Sequence, residues 1–409
     1  MHALLIIMVV ITAVDTVVER VLARLNNQSA NAVDAQAVSD VYTPEQVQNS
    51  IAYSNAQYKF GTIKSIYTWI VTTGFLTLGG FGWVDDLLRA RFDNTIVIAI
   101  LFVVVLSLAS AVASLPFSIY GTFVLEARFG FNRTTPQTFI TDLIKGGLVG
   151  GIVISILMSV LTFIYESTGS QFWIIGWVAL TAFSIFMFMF GTSLLLPLFN
   201  KATPLPEGEL RDALSAYCES QGYKVNRLFV IDASKRSTKA NAFFAGLGPM
   251  KTIVLFDTLI EKLTTEEIVA VLAHEVGHAK LRHTRDGLIL NLVQTFVMFF
   301  ILGIALSSDA LSEALGAAQP SFHVGLIAFM ILYSPLSFVS SFVTNSISRR
   351  NEYSADEFSL KTFKPETLAS ALTKISSDAL SNLNPHPWYV AAYYTHPTLK
   401  QRRAKLLPA

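Results

Sequence analysis

Five residues in this chain have the types and spacing to do chemistry together: His274-Glu275-Val276-Gly277-His278. On a helix, residues four apart are separated by about 40° around the axis, so both imidazoles leave the same face. Such a pair can hold one divalent ion, each ring nitrogen about 2 Å from it. Glu275 is turned about 100° from His274, which suits it to a water beside the ion rather than to the ion itself. Two nitrogen ligands and a general base are the parts of a zinc-dependent hydrolytic site. The surrounding TTEEIVAVLAHEVGHAKLRHT reads as one apolar helix, on which unpartnered histidines would be costly to bury. Thr264 and Glu267 form a capping-box pattern at its start.

A hydrolytic zinc takes a third protein ligand and leaves a position open for water. The candidate is Glu352, in Arg349-Arg350-Asn351-Glu352-Tyr353-Ser354-Ala355-Asp356. Asp356 lies one helical turn later on the same face, where it can hold a ligand imidazole in the correct tautomer. His283, nine residues after His274, falls on the opposite face of a continuous helix and is not read as a ligand.

These residues must be positioned by a membrane protein. Of 409 residues, 52% are hydrophobic and 14% charged, where a soluble domain has about a quarter charged. Mean hydropathy is +0.50. A crossing needs about 20 apolar residues, and seven stretches are expected to provide them: 3–22, 64–84, 95–122, 146–165, 172–199, 287–306 and 322–345. Residues 1–199 thus hold five crossings, 200–285 a polar block with the motif helix, 286–345 two more crossings, and 346–409 a second polar stretch. An even number of crossings separates the polar stretches, so both lie on one side and can build one domain. His323 falls on the other side. The loops on the polar domain's side carry Arg24, Lys59, Arg128, Arg133 and Lys145, against mainly Arg89 and Arg91 opposite, which points to a cytoplasmic domain.

Within the polar block, 208–222 reads as an amphipathic helix, and RLFVIDAS, NAFFAGL and KTIVLFDTL as short strands, with GLGPM as a turn. The single cysteine, Cys218, excludes an intrachain disulfide and reads as a buried apolar residue. A net charge of +1 gives no nucleic-acid footprint. No internal repeat suggests the paired halves of a transporter, and the presence of Glu275 argues against an inactive scaffold. The favoured oligomeric state is a monomer.

With these residues in hand, the chain resembles the type I CAAX prenyl endopeptidases, a family of integral-membrane zinc metalloproteases. The likeness extends over EARFGFN (126–132), STKANAFFAGLGPMKTIVLFDTL, AHEVGH, SRRNEYSAD and the terminal THPTLKQRR. It implies a mainly α fold, with seven transmembrane helices forming a barrel around an intramembrane chamber and a small α+β zincin-like protease domain as its cap. It implies one Zn²⁺, held by His274, His278 and Glu352, with Glu275 as base. Asp356 then corresponds to the acidic residue that donates a proton or supports a ligand, and Asn241 and Ala242, with Phe243 beside them, to a strand-like segment that holds the substrate backbone. His396 and Arg402 correspond to a pair that hydrogen-bonds substrate near the metal. Asn291, Gln294 and Asn345 are either chamber-lining groups or interhelical hydrogen-bonders. The implied substrate is a peptide or prenylated protein cut near its C-terminus, with general membrane-protein quality control as the rival. The chain ends KLLPA without a dibasic retrieval signal, so a bacterial inner membrane is the expected location, or the endoplasmic reticulum membrane for a eukaryotic source.

Overall fold

The computed structural model describes residues 3–407 apart from 37, 40, 224–226 and 246–251. The expected GLGPM turn lies outside the described residues. Six long or medium helices come first: α1 (Ala3–Asn31), α2 (Pro44–Thr77), α3 (Gly80–Arg89), α4 (Thr95–Tyr120), α5 (Pro136–Thr168) and α6 (Phe172–Phe199). Among the described residues, four helical stretches are long and apolar enough to cross a membrane: Thr95–Glu126, Pro136–Phe199, His283–Ala305 and Phe322–Thr362. The 64-residue stretch doubles back through a 3-10 turn at Gly169–Gln171, so that α5 and α6 pack side by side. The chain is therefore a multi-pass membrane protein. Helices suit these segments because their backbone hydrogen bonds are made internally. The starts are set by Thr43, Asn94 and Thr135, whose side chains each accept a bond from a first-turn N–H.

Two expected crossings differ from what forms. The stretch 64–84 is not one helix: α2 ends at Thr77, and Gly79 adopts φ +70 before α3 begins. A left-handed residue costs glycine nothing, so the chain turns there. The first stretch continues to Asn31, and its polar groups find partners. Asp15 accepts from Ser334 Oγ at 2.5 Å, and Glu19 accepts from Ser65 Oγ at 3.1 Å.

The polar block contains β1 (Ala202–Pro204), α7 (Glu209–Ser220), β2 (Leu228–Ile231), β3 (Ala242–Ala245), β4 (Thr252–Phe256), α8 (Asp257–Lys262) and α9 (Thr265–Lys280). Its four strands lie in the order β1-β2-β4-β3. β2 and β4 run parallel, and β3 runs antiparallel to β4 with Ala242 opposite Leu255. This leaves β3 as an edge strand. β1 was not expected from the sequence, because its three residues end in Pro204 and carry no apolar alternation. Leu214, Tyr217 and Cys218 of α7 pack with Leu255, Leu272 and Val276 in one core. Burial pushes the Cys218 thiol up to about 12, as befits an apolar neighbour rather than a reactive group.

α10 (His283–Ala305) and the short α11 (Ala310–Ala314) lead to α12 (Phe322–Thr362), 41 residues long. α12 runs from the membrane segment straight into the polar domain, where it packs on α9. Then come α13 (Pro365–Asp378), α14 (Pro387–Tyr393) and α15 (Leu399–Leu406). Asn345 Nδ2 donates to Ala392 O at 2.7 Å, which pins α14 to α12. Far from this domain, His323 meets Asp85 at 2.7 Å, and Arg89 and Ser321 complete a buried polar lock between α3 and α12.

Beside that lock, Gly82 N donates to Leu315 O at 3.0 Å, and a Cβ on Gly82 would stand 2.1 Å from Gly316 O. Backbone cannot yield there as a flexible side chain would. Gly82→Ala is expected to cost about 1–3 kcal/mol, read as a lower unfolding temperature in detergent; wild-type melting would contradict this contact.

Candidate metal centre

The site is assembled on two helices that cross closely. Thr264 caps α9 as expected, its side chain accepting from Glu267 N while the Glu267 carboxylate accepts from Thr264 N. Glu267 is held further by Ser370 and Lys374 of α13, each 2.7–2.8 Å away. At the crossing, a Cβ on Gly277 would lie 3.2 Å from the Ala355 backbone, so the absence of side-chain bulk lets α12 approach α9. That approach brings Glu352 to the two histidines.

His274, His278 and Glu352 each offer one ligand atom, all within 4.8 Å of one another. Nε2 of His274 and Nε2 of His278 are 3.2 Å apart. Each lies 3.3 Å from a different oxygen of Glu352. Ligands about 2.0–2.1 Å from a tetrahedral ion stand about 3.3–3.4 Å from each other, so these three separations fit one shared cation. Glu352 Oε2 is buried and accepts no hydrogen bond, the state of an oxygen whose lone pair is kept for something else. Burial alone would lower the His274 pKa, yet the facing carboxylates of Asp356 and Glu352 outweigh it and lift it to about 9. The pocket thus favours positive charge at the point the donors face. The donor set of two imidazoles and a carboxylate, with no thiolate, suits zinc.

Behind the ligands sits a buried support. Asp356, 1% exposed, is 2.9 Å from His274 Nδ1. Arg402 is also buried and makes a bidentate pair with Asp356 at 2.9 and 2.5 Å. A further nitrogen of Arg402 lies 3.6 Å from Glu352. His396 lies on the open side, its Nε2 3.2 Å from Glu352 and its side chain 62% exposed.

A cavity of about 620 Å³ opens in front of the donors, lined by Glu275, His278, Glu352, His396 and Phe243 among others. Met187 and Phe188 of α6 and Leu290 of α10 supply an apolar wall. Asn241 directly precedes β3; its carbonyl accepts from Phe256 N at 3.1 Å and its Oδ1 from Ala242 N at 2.8 Å. The structure therefore brings Glu275, His396 and Phe243 to the cavity and keeps Arg402 behind the ligands. Among the described residues the side chains of Asn291 and Gln294 make no hydrogen bond to another side chain, and Asn291 accepts from Thr295 Oγ1 only through its carbonyl, at 2.9 Å. The burial of Arg402 was not legible in QRRAK, which reads as a solvated run. His283 also stands beside the site, its Nδ1 3.1 Å from His278 Nδ1, because α9 ends before it.

A multi-pass chain with a helix-borne metal-ligand set, an acidic residue beside it and a shared cavity defines a membrane metallopeptidase. Residues 24–201 match the family described as "CAAX prenyl protease N-terminal, five membrane helices", and residues 204–408 match "Peptidase family M48". The chain is 35% identical over 374 residues to a CAAX prenyl protease 1 homolog of Oryza sativa subsp. japonica, covering 90% of this chain and 88% of the relative. It is 32% identical over 399 residues to CAAX prenyl protease 1 of Saccharomyces cerevisiae, covering 90% and 87%. The crystal structure of S. mikatae Ste24p superposes over 100% of both chains with a TM-score of 0.94 at 29% identity. This chain belongs to peptidase family M48, in its CAAX prenyl protease group.

The support pair gives a stability test. Arg402→Met would leave Asp356 buried without its cation, an uncompensated charge that costs about 3–5 kcal/mol. The expected readouts are a lower melting temperature and weaker metal retention on dialysis. A variant that melts and retains metal as the wild type does would contradict the role of this pair.

Proposed function

We propose that this chain is a zinc endopeptidase that cuts prenylated CAAX-type substrates near their C-terminus, from the cytoplasmic face of its membrane. The observation that carries the reading is one cavity lined by His278, Glu352, Glu275 and Phe243 of the edge strand β3 beside an apolar wall, with the His274 ligand atom within 4.8 Å of those of His278 and Glu352. One Zn²⁺ per chain would be held by His274 Nε2, His278 Nε2 and Glu352. When bound there it supplies Lewis acidity and makes an adjacent water more acidic.

The protein's own groups do the rest. Among the described residues no strand pairs with the outer edge of β3, so an extended peptide can add to it as a further strand at Asn241–Phe243, with main-chain bonds that tolerate varied sequence. Glu275 takes the proton from the attacking water and delivers it to the leaving amine. His396, exposed in the cavity, donates a hydrogen bond to the carbonyl oxygen as it gains charge. Asp356 accepts the Nδ1 proton of His274, which turns the Nε2 lone pair toward the ion. Arg402 acts through Asp356 as a positioning group, neutralising a buried carboxylate. Met187, Phe188 and Leu290 offer the apolar surface for a prenyl chain.

We further infer seven crossings, made by α1, α2 with α3, α4, α5, α6, α10 and α12, arranged around a chamber that the cavity opens into. The polar stretches 200–285 and 346–409 form the zincin-like cap. The basic residues named above favour a cytoplasmic cap. All site groups come from one chain, so a monomer suffices.

Two measurements test this. Glu275→Gln is expected to keep zinc by elemental analysis and to lose about 10²–10⁴-fold in turnover; substantial residual cleavage would remove Glu275 from its role. A farnesylated CAAX peptide should be shortened by its C-terminal tripeptide, read by product mass, well ahead of its unmodified counterpart. Equal cleavage of both peptides would favour a general membrane protease instead.

A further inference from the structure

His283 takes no part in the chemistry above, yet its ring touches one of the ligand residues. Nδ1 of His283 lies 3.1 Å from Nδ1 of His278, with ring centroids 5.0 Å apart and planes at 76°. On an unbroken helix, five residues turn the side chain by about 140°, and the rings would point apart. The chain is broken between them. α9 ends at Lys280, and Arg282 adopts φ +62 and ψ 23 before α10 starts at His283. A non-glycine residue held there is strained and persists only where its surroundings enforce it. What this turn achieves is the return of His283 to the site.

The chemistry of two facing imidazoles then fixes where each proton sits. His278 Nε2 is the atom turned to His274 and Glu352, so it must present a lone pair to bind an ion. The proton of neutral His278 is therefore on Nδ1, which faces His283. Of two facing Nδ1 atoms only one can donate, so His283 Nδ1 accepts. The proton of neutral His283 is left on Nε2, which has no protein acceptor among the described residues, in a ring that lines the cavity.

We propose that His283 is a positioning residue: it accepts the Nδ1–H of His278 and locks that ring in the metal-binding tautomer, as Asp356 does for His274. The inference rests on the reading of His278 as a ligand. It gives each histidine ligand its own acceptor, one anionic and one neutral. Outer partners of this kind set metal affinity by about 10–100-fold.

The test is zinc affinity of the full-length protein in detergent, by competition with a chromophoric chelator. His283→Asn places an amide oxygen near the position of Nδ1 and should bind zinc within about threefold of the wild type. His283→Leu offers no acceptor and should bind about 10–100-fold more weakly. Arg282→Gly removes the strained side chain, keeps His283 and should retain affinity. The metal-free melting temperature of His283→Leu checks that its fold persists. Should it melt early, His283→Ala, which also offers no acceptor and adds no bulk, takes its place as the variant expected to fail. Wild-type affinity in the acceptor-less variant, or equal weakness of the asparagine variant, would overturn the proposal. Loss of zinc in His278→Ala with none in His283→Leu would refute this inference alone. Retention of zinc in His278→Ala would refute the ligand reading beneath it.

Discussion

Three lone-pair-bearing atoms, from His274, His278 and Glu352, face one point inside a protein domain. Without a cation between them they would repel, and two of the three residues are buried. This constraint explains much of what surrounds it. Gly277 lies against Ala355 because only a side-chain-free contact lets Glu352 reach the histidines. The capping box at Thr264 and the grip of Ser370 and Lys374 on Glu267 fix the start of α9, and so the direction of both rings. Arg402 supplies the permanent positive charge that allows Asp356 to stay ionised behind His274.

The membrane part contributes through continuity rather than through contact alone. α12 crosses the apolar region and carries Glu352 and Asp356 on the same 41-residue helix. α10 begins at the site, and α6 gives its cavity Met187 and Phe188. A helix is stiff over such lengths, so the position of the carboxylate ligand is tied to the packing of the membrane segments. The polar lock of Asp85, Arg89, Ser321 and His323 anchors α12 at its far end. A buried carboxylate with three donors is well satisfied there, and this places His323 in architecture rather than chemistry.

Much of this was legible in the sequence, for identifiable reasons. The i,i+4 spacing of His274 and His278 and the capping box of α9 are local, and local helical geometry is nearly fixed. Glu352 and Asp356 could be found because they share a face on a helix that follows an apolar segment. What was not legible depends on contacts distant in sequence or on breaks without a signal. The order β1-β2-β4-β3, which puts β3 at the edge of the sheet among the described residues, is a tertiary outcome. Arg402 looks solvated in QRRAK and is buried only because Asp356 meets it. The expectation that His283 faces away assumed a continuous helix. Arg282 breaks that helix with a positive φ that no glycine or asparagine announces. The turn at Gly79 did carry a glycine pair, but inside an apolar stretch long enough to pass for one crossing.

The chemistry of the site depends on what surrounds the metal. X-ray absorption at the zinc edge, on purified full-length protein, measures this without substrate or mutation. The nearest neighbours are predicted to be nitrogen and oxygen only, at about 2.0–2.1 Å, with the outer-atom scattering of two imidazole rings. Sulfur at about 2.3 Å, a single imidazole, or no bound zinc would contradict a centre built from His274, His278 and Glu352.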